Sequence, residues 1–197
     1  MNFDIQDFTT NDFDKVAELI AQLWDGSSDE IPEELDSIYH QYVLRYYYVP
    51  SSHFNLVAMQ GGEICACLLA APAYDLKNNL ADEWIKDRLH GTDAKKYFQE
   101  LKTYLDSMSE TEHSHAKENE AVLLFFGSIR KGAGKTLMDE FEKRCKEHSI
   151  NSMLLWTDEM CNYDYYYQKG FEEVAKAPSS AMVDGKNVMT WIFRKNF

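Results

Sequence analysis

Five residues, Gly132-Ala133-Gly134-Lys135-Thr136, carry the clearest chemical suggestion in this 197-residue sequence. Ahead of them, Ala121 to Ser128 is a dense apolar run suited to a buried central strand. Behind them, Lys131 to His148 places Leu137, Phe141, Cys145 and His148 inward at helical spacing. A strand, a glycine turn and a helix leave the first helical N–H groups unbonded, at the positive end of the helix dipole. Glycine lets a diphosphate approach the backbone, and Arg130, Lys131 and Lys135 add positive charge. The turn from Arg130 to Thr136 is therefore expected to hold a phosphate-bearing ligand, although a plain strand-to-helix turn also uses glycine.

The ending Gly134-Lys135-Thr136 also invites a Walker A reading, G-x-x-x-x-G-K-[ST]. Leu154 to Glu159 resembles the Walker B strand that would accompany it. The loop's first glycine should stand at position 129, which holds Ile129. The chain after the turn is also too short for the several strands of a P-loop domain. A nucleoside triphosphate is the runner-up ligand on these grounds.

A second motif lies downstream. Cys161-Asn162-Tyr163-Asp164-Tyr165-Tyr166-Tyr167-Gln168-Lys169-Gly170-Phe171 resembles the signature N-x-x-F-Y-x-x-x-G-F. Together with the glycine turn it resembles motifs A and B of the GNAT acyltransferase superfamily, whose members move an acyl group from acyl-coenzyme A to an amine. The resemblance covers roughly Ala121 to Phe171. The family's turn usually reads Q/R-x-x-G-x-G/A; Gly132-x-Gly134 fits, Ile129 takes the Q/R place and Arg130 follows one position later.

The resemblance implies acetyl-coenzyme A as acyl donor, no metal, and an N-acetyltransferase acting on a primary amine of a small cationic molecule or peptide. It implies that the strand matching Leu123 to Phe126 pairs its backbone with the pantetheine arm, bringing Leu124, Phe125 and Phe126 to the cofactor. The resemblance implies that this strand is splayed from the next, Met153 to Thr157, and that a backbone N–H near Leu124 or Phe125 would stabilise an oxyanion. On the same resemblance Asn162 would hydrogen-bond the pantetheine. Tyr166, four residues before Gly170, would contact the cofactor and act as general acid toward the departing thiolate. Tyr165 matches a buried aromatic and belongs to the core. Glu120, Asp158 and Glu159 lie near strand ends and could accept the amine's proton, but each reads more simply as a surface or capping carboxylate. A non-catalytic acyl-coenzyme A sensor remains a further alternative.

These residues need elements to hold them. Phe3 to Phe8 alternates as a half-buried strand. Asn11 and Asp12 can cap a helix with Val16, Leu19, Ile20, Leu23 and Trp24 on one stripe. DGSSDEIP breaks the chain, and Leu35, Ile38, Tyr39, Tyr42 and Tyr46 repeat at helical spacing up to Pro50. His53 to Met59 and Ile64 to Ala71 form a hairpin through Gly61-Gly62. Residues 74–120 are polar and read as an insertion with one or two amphipathic helices, ending in a loop, SMSETEHSHAKENE. His113 and His115 there resemble a metal pair without a supporting ligand framework. Ser152 to Thr157 is an apolar strand, Tyr163 to Lys169 a short helix stopped at Gly170, and Phe171 to Ala175 and Val188 to Phe193 are the last strands. The expected fold is α/β, a GNAT-like mixed and mostly antiparallel sheet of six to seven strands flanked by helices. It forms a single domain over residues 1–197 with its insertion at about 74–120.

Composition narrows the partners. The net charge of −13 argues against nucleic acid. It suits a cationic acceptor through steering, and solubility alone also explains it. No apolar run approaches the roughly 20 residues of a membrane helix, and the start lacks a signal peptide's pattern, so a cytoplasmic location without a membrane partner is expected. Cys65, Cys67, Cys145 and Cys161 read as buried free thiols, with Cys65 and Cys67 on one face of a strand. A homodimer is common in the fold, though no feature here demands it.

Overall fold

The computed structural model describes residues 2–24, 35–76, 80–179 and 187–197. The expected break over 25–32 lies outside the described residues. Strand β1 (Asp4–Asp7) leads through a 3-10 turn into α1 (Phe13–Leu23). The turn is closed by a capping box in which Asp12 accepts from the Thr9 backbone N–H at 2.8 Å. Val16, Ala17, Leu19 and Ile20 form the buried stripe of α1. Next come α2 (Asp36–Tyr47), then β2 (Leu56–Gln60) and β3 (Glu63–Pro72), which pair antiparallel across Gly61-Gly62.

Helices α3 (Leu80–Ile85) and α4 (Thr92–His115) follow β3, in the stretch expected to be an insertion. Strand β4 (Glu120–Ser128), helix α5 (Ala133–Glu147) and strand β5 (Ser152–Asp158) carry the glycine turn and its neighbour. Helix α6 (Asp164–Gln168) and strands β6 (Glu172–Pro178) and β7 (Met189–Asn196) complete the described chain. The seven strands form one sheet in the order β1-β2-β3-β4-β5-β7-β6. Every neighbouring pair is antiparallel except β4 with β5.

Helices α1 to α4 cover one face of the sheet. Their core includes Leu19, Ile20, Tyr42, Leu44, Tyr104 and Met108. Helix α5 covers the other face with Leu137, Met138, Phe141 and Cys145, against Leu68, Ala121, Met153 and Phe193. Each fully buried side chain of this size contributes about 1.5–3 kcal/mol of transfer free energy.

The fold differs from several expectations. The stretch Ser107 to His115, read as loop, is the C-terminal part of α4. Tyr104, Leu105, Met108 and Glu112 continue one buried stripe, and the polar residues between them face solvent. His113 and His115 lie on its last turn, and among the described residues no group of three potential ligands could hold a metal. His148 is exposed and stacks on His53, with ring centroids 5.6 Å apart, because α5 ends one residue before it.

Cys65 and Cys67 lie on opposite faces. A register shift between β2 and β3 leaves Cys65 as an extra residue, so it joins the α5-side core while Cys67 joins the other. All four cysteines are free, but Cys161 is exposed rather than buried.

Candidate active site

Two features of β4 set the site. The first is a bulge. Opposite β3, Leu69 pairs with Phe125 and Ala70 with Leu123, so Leu124 is the extra residue. Leu124 and Phe125 consequently pack on the same face, that of α1 and α2, while Leu123 and Phe126 pack on the α5 side. Such an insertion locally breaks the ladder and re-aims the backbone. The second feature is divergence. Strands β4 and β5 pair only from Glu120 to Val122 against Ser152 to Leu154. Beyond these residues the two strands separate, leaving the edges of Leu123–Phe126 and Leu155–Asp158 facing a cleft.

The glycine turn stands where β4 ends. Ile129 extends the ladder, its N–H donating to the Cys65 carbonyl at 3.0 Å. Only residues 129–132 then separate β4 from α5. Gly132 takes φ +92°, a conformation that disfavours any side chain, and caps α5. A Cβ on Gly134 would stand 3.0 Å from Cζ of Phe126 and 3.2 Å from Cβ of Ser128, so glycine lets α5 start against β4.

The Ala133 N–H donates to the Arg130 carbonyl at 3.1 Å and the Thr136 N–H to the Gly132 carbonyl at 3.1 Å. The N–H groups of Lys131, Gly132, Gly134 and Lys135 take no partner among the described residues. This is a cradle for an anion at a helix N-terminus.

Part of the expected positive charge is already engaged. Lys135 pairs with Asp139 at 2.5 Å, and Arg130 lies 3.6 Å from Glu63. Both pairs are exposed and worth little, so either cation can turn to a ligand. The Thr136 hydroxyl donates back to the Gly132 carbonyl at 3.1 Å.

The Walker A reading fails here. The four-residue connection and the Ile129 ladder bond leave no loop to wrap phosphates, and the sheet is antiparallel at every junction but one.

Helix α6 borders the same cleft. Tyr165 is half-buried with its ring 6.3 Å from that of Phe126. Tyr166 packs into the α5-side core against Phe171 and Phe193, with ring centroids at 5.2 and 5.5 Å. The expected assignment of Tyr165 to the core is thus corrected: of the two, Tyr166 makes the core contacts. Burial, then the neighbouring Cys161 thiol and Tyr165, hold the proton on Tyr166 well above the ordinary phenol range. Asn162 is exposed at the turn into α6, where its carbonyl accepts from the Tyr165 N–H at 3.2 Å.

The three carboxylates near strand ends have partners. Glu120, fully buried, accepts from Arg194 Nε at 2.5 Å, Ser152 Oγ at 2.8 Å and the Lys117 N–H at 2.9 Å. Asp158 accepts from the Tyr104 hydroxyl at 2.8 Å and the Met160 N–H at 3.0 Å. Glu159 is exposed and accepts from the Met189 N–H at 3.1 Å. Cys161 turns its thiol inward, where burial and the charge of Asp158 push it up to about 12.

A fourth carboxyl, Glu112, is not marked in the sequence, where its stretch reads as loop. It is 1% exposed, lies beside the Trp156 backbone N–H, and leaves Oε1 without a partner among the described residues.

No protein-family model and no curated protein matches this sequence. Solved structures do. The chain aligns over its full length with the whole of a PaiA N-acetyltransferase from Thermoplasma acidophilum crystallised in complex with coenzyme A, at 15% identity and a TM-score of 0.56. It covers 99% of its length and 94% of the ribosomal-protein-S18-alanine N-acetyltransferase from Escherichia coli, at 10% identity and a TM-score of 0.55. An apo agmatine N-acetyltransferase aligns over the full length of both chains at 12% identity and a TM-score of 0.57.

The fold is the GNAT fold. Within it, the bulged β4, the β4–β5 cleft and the α5 N-terminus occupy one continuous region along a single strand. Helices α3 and α4 lie between β3 and β4 in this chain.

Proposed function

We propose that the chain is an acetyl-coenzyme A-dependent N-acetyltransferase acting on a primary amine of a small cationic molecule or peptide. One observation carries the reading: β4 ends at an N–H cradle fit for a pyrophosphate, and upstream the same strand parts from β5 at a bulge. A long ligand with phosphates at one end and a reactive group at the other matches that layout. The glycine cradle fits it, since side chains at positions 132 and 134 would strain or fill the turn.

Acetyl-coenzyme A supplies an activated acyl thioester. The N–H groups of Lys131, Gly132, Gly134 and Lys135 bind its phosphates, with Arg130, Lys131 and Lys135 adding charge and Thr136 and Ala133 completing the turn. The free edge of Leu124 to Phe126 pairs with the arm, and a bulge N–H at Leu124 or Phe125 faces the developing oxyanion. Asn162 orients the arm from the α6 side. Tyr166 keeps its proton until a thiolate departs, which is the state a general acid needs.

Thermal unfolding with and without coenzyme A tests the reading. Ligand at about 100 times its Kd should add about 2.7 kcal/mol, raising Tm by about 5–11 °C for a chain of this size. A panel of primary amines assayed with acetyl-coenzyme A for free thiol then identifies the acceptor class. Tyr166→Phe should keep the coenzyme A shift and lower kcat by about 10²–10⁴. Full turnover in that variant would remove Tyr166 from the chemistry. A shift without turnover on any amine would favour an acyl-coenzyme A sensor.

A further inference from the structure

Where β4 and β5 part, β5 exposes a fixed set of backbone groups. Glu159 N–H donates to Met189 on β7, and side-to-side alternation along the strand then turns Trp156 and Asp158 toward β4. Past Leu154 no β4 residue answers them. Helix α4 covers this edge instead: Tyr104 packs on Trp156 and donates to Asp158, and two turns on, Glu112 lies beside the Trp156 N–H.

The carboxyl of Glu112 therefore stands at the cleft, on the face of α1 and α2 toward which the β4 bulge turns Leu124 and Phe125. One oxygen lies on the side of the Trp156 N–H. The other, Oε1, has no donor although the residue is 1% exposed. A buried acceptor without a partner calls for an explanation, such as a ligand that supplies the donor.

The surroundings fit such a ligand. No charged side chain from α2, α4 or β5 pairs with Glu112 among the described residues. Its titratable neighbour is the Tyr47 phenol of α2, itself buried, with Tyr104 of α4 acting on that phenol in turn. The Glu112 carboxyl is held well above the ordinary carboxylate range by burial, against the opposing effect of the Trp156 N–H beside it.

We propose that Glu112 is a catalytic residue, receiving the acceptor's ammonium on Oε1 and removing the proton that blocks attack. The role rests on the acetyltransferase reading. An N–H proton passes from the ammonium to the ionised Glu112 carboxylate, and the nitrogen lone pair is freed. The nitrogen bonds to the thioester carbonyl carbon, the C–S bond breaks, and the sulfur leaves with the bonding pair. The second nitrogen proton is released as the amide forms, while the thiolate is protonated by Tyr166, which recovers that proton through solvent. The balance is ammonium, thioester and carboxylate to amide, thiol and carboxylic acid. The acceptor class is a primary alkylamine small enough to reach a carboxyl beneath α4.

The test compares wild type, Glu112→Gln and Glu112→Asp, first for the coenzyme A thermal shift and then for turnover. The acceptors are n-butylamine, 1,4-diaminobutane and alanine amide, each followed from pH 6 to 10. Glu112→Gln is expected to melt no lower than wild type at pH 8, keep the coenzyme A shift, and lose at least 100-fold in kcat. Its residual rate should climb with pH as free amine accumulates, where wild type levels off. Glu112→Asp should keep part of the rate. The proposal is overturned, with the acetyltransferase reading intact, if Glu112→Gln turns over within threefold of wild type on the same pH profile. It is likewise overturned if both variants fail to melt cooperatively, which makes Glu112 a structural residue. Wild type that shows neither the coenzyme A shift nor turnover overturns the acetyltransferase reading and this role together.

Discussion

Glu120 and Glu112 are both buried glutamates, and their surroundings drive them in opposite directions. At Glu120, burial favours the neutral form, but Arg194, the Lys117 N–H and the Ser152 hydroxyl outweigh it and hold the carboxyl below its ordinary range. Its contribution is present above the ordinary value near 4.5 and is lost as pH falls through the depressed folded value. Arg194→Ala would strand that carboxylate. It should cost about 3–5 kcal/mol at pH 7. The deficit should shrink as denaturation is measured below pH 4, where Glu120 is protonated in the variant. A deficit independent of pH would mean that lost packing, rather than the pair, is responsible. At Glu112 the folded value is raised. The stability it allows is complete below the ordinary value and declines as pH rises toward the folded one, so Glu112→Gln should gain on wild type in that direction.

Helix α4 is the element that changes the character of the site. Its C-terminal turns close the cleft from the α1–α2 side, and Arg194 fixes their end by donating to the His115 carbonyl at 2.7 Å. Tyr46 of α2 adds a hydroxyl bond to Asp106 at 2.9 Å, and Lys102 pairs with Asp82 of α3 and with Asp106 at 3.2 and 3.1 Å, joining α4 to α2 and α3. Hydrogen exchange should therefore find the amides of Ser107, Met108, Thr111 and Glu112 protected well beyond peptide rates. Exchange at peptide rates there would return the segment to a loop and remove Glu112 from the cleft. On α5, Gly134→Val should cost about 1–3 kcal/mol by overpacking on Phe126 and Ser128. The same change should weaken coenzyme A binding, and a variant with wild-type affinity would exclude this turn from the cofactor site.

Across the molecule, the formal charge of −13 acts on both proposed substrates. It attracts a cationic acceptor and repels an anionic donor. Raising ionic strength from 0.01 to 0.15 M shortens the Debye length from about 30 to about 8 Å. The acceptor's kcat/KM should fall and the KM for acetyl-coenzyme A should improve over that range. Insensitivity of both would assign the acidic balance to solubility alone. No helix among the described residues is long and apolar enough to cross a membrane.

The sequence by itself determined the order of the strands and of the helices outside residues 74–120. Periodicity placed α1, α2, α5 and the hairpin within a few residues, because one-sided burial imposes its own spacing on each. It located the glycine turn, because φ +92° at Gly132 and the close contact at Gly134 restrict the residue type at those positions. Long-range packing decided the rest. The bulges at Cys65 and Leu124 are offsets between strands and leave no mark in either strand alone. Tyr165 and Tyr166 are adjacent tyrosines whose difference is only which one meets Phe193. Glu112 is one acid in a polar run until α4 forms and folds back on β5. Its burial is a property of the contact, and only the tertiary structure makes that contact.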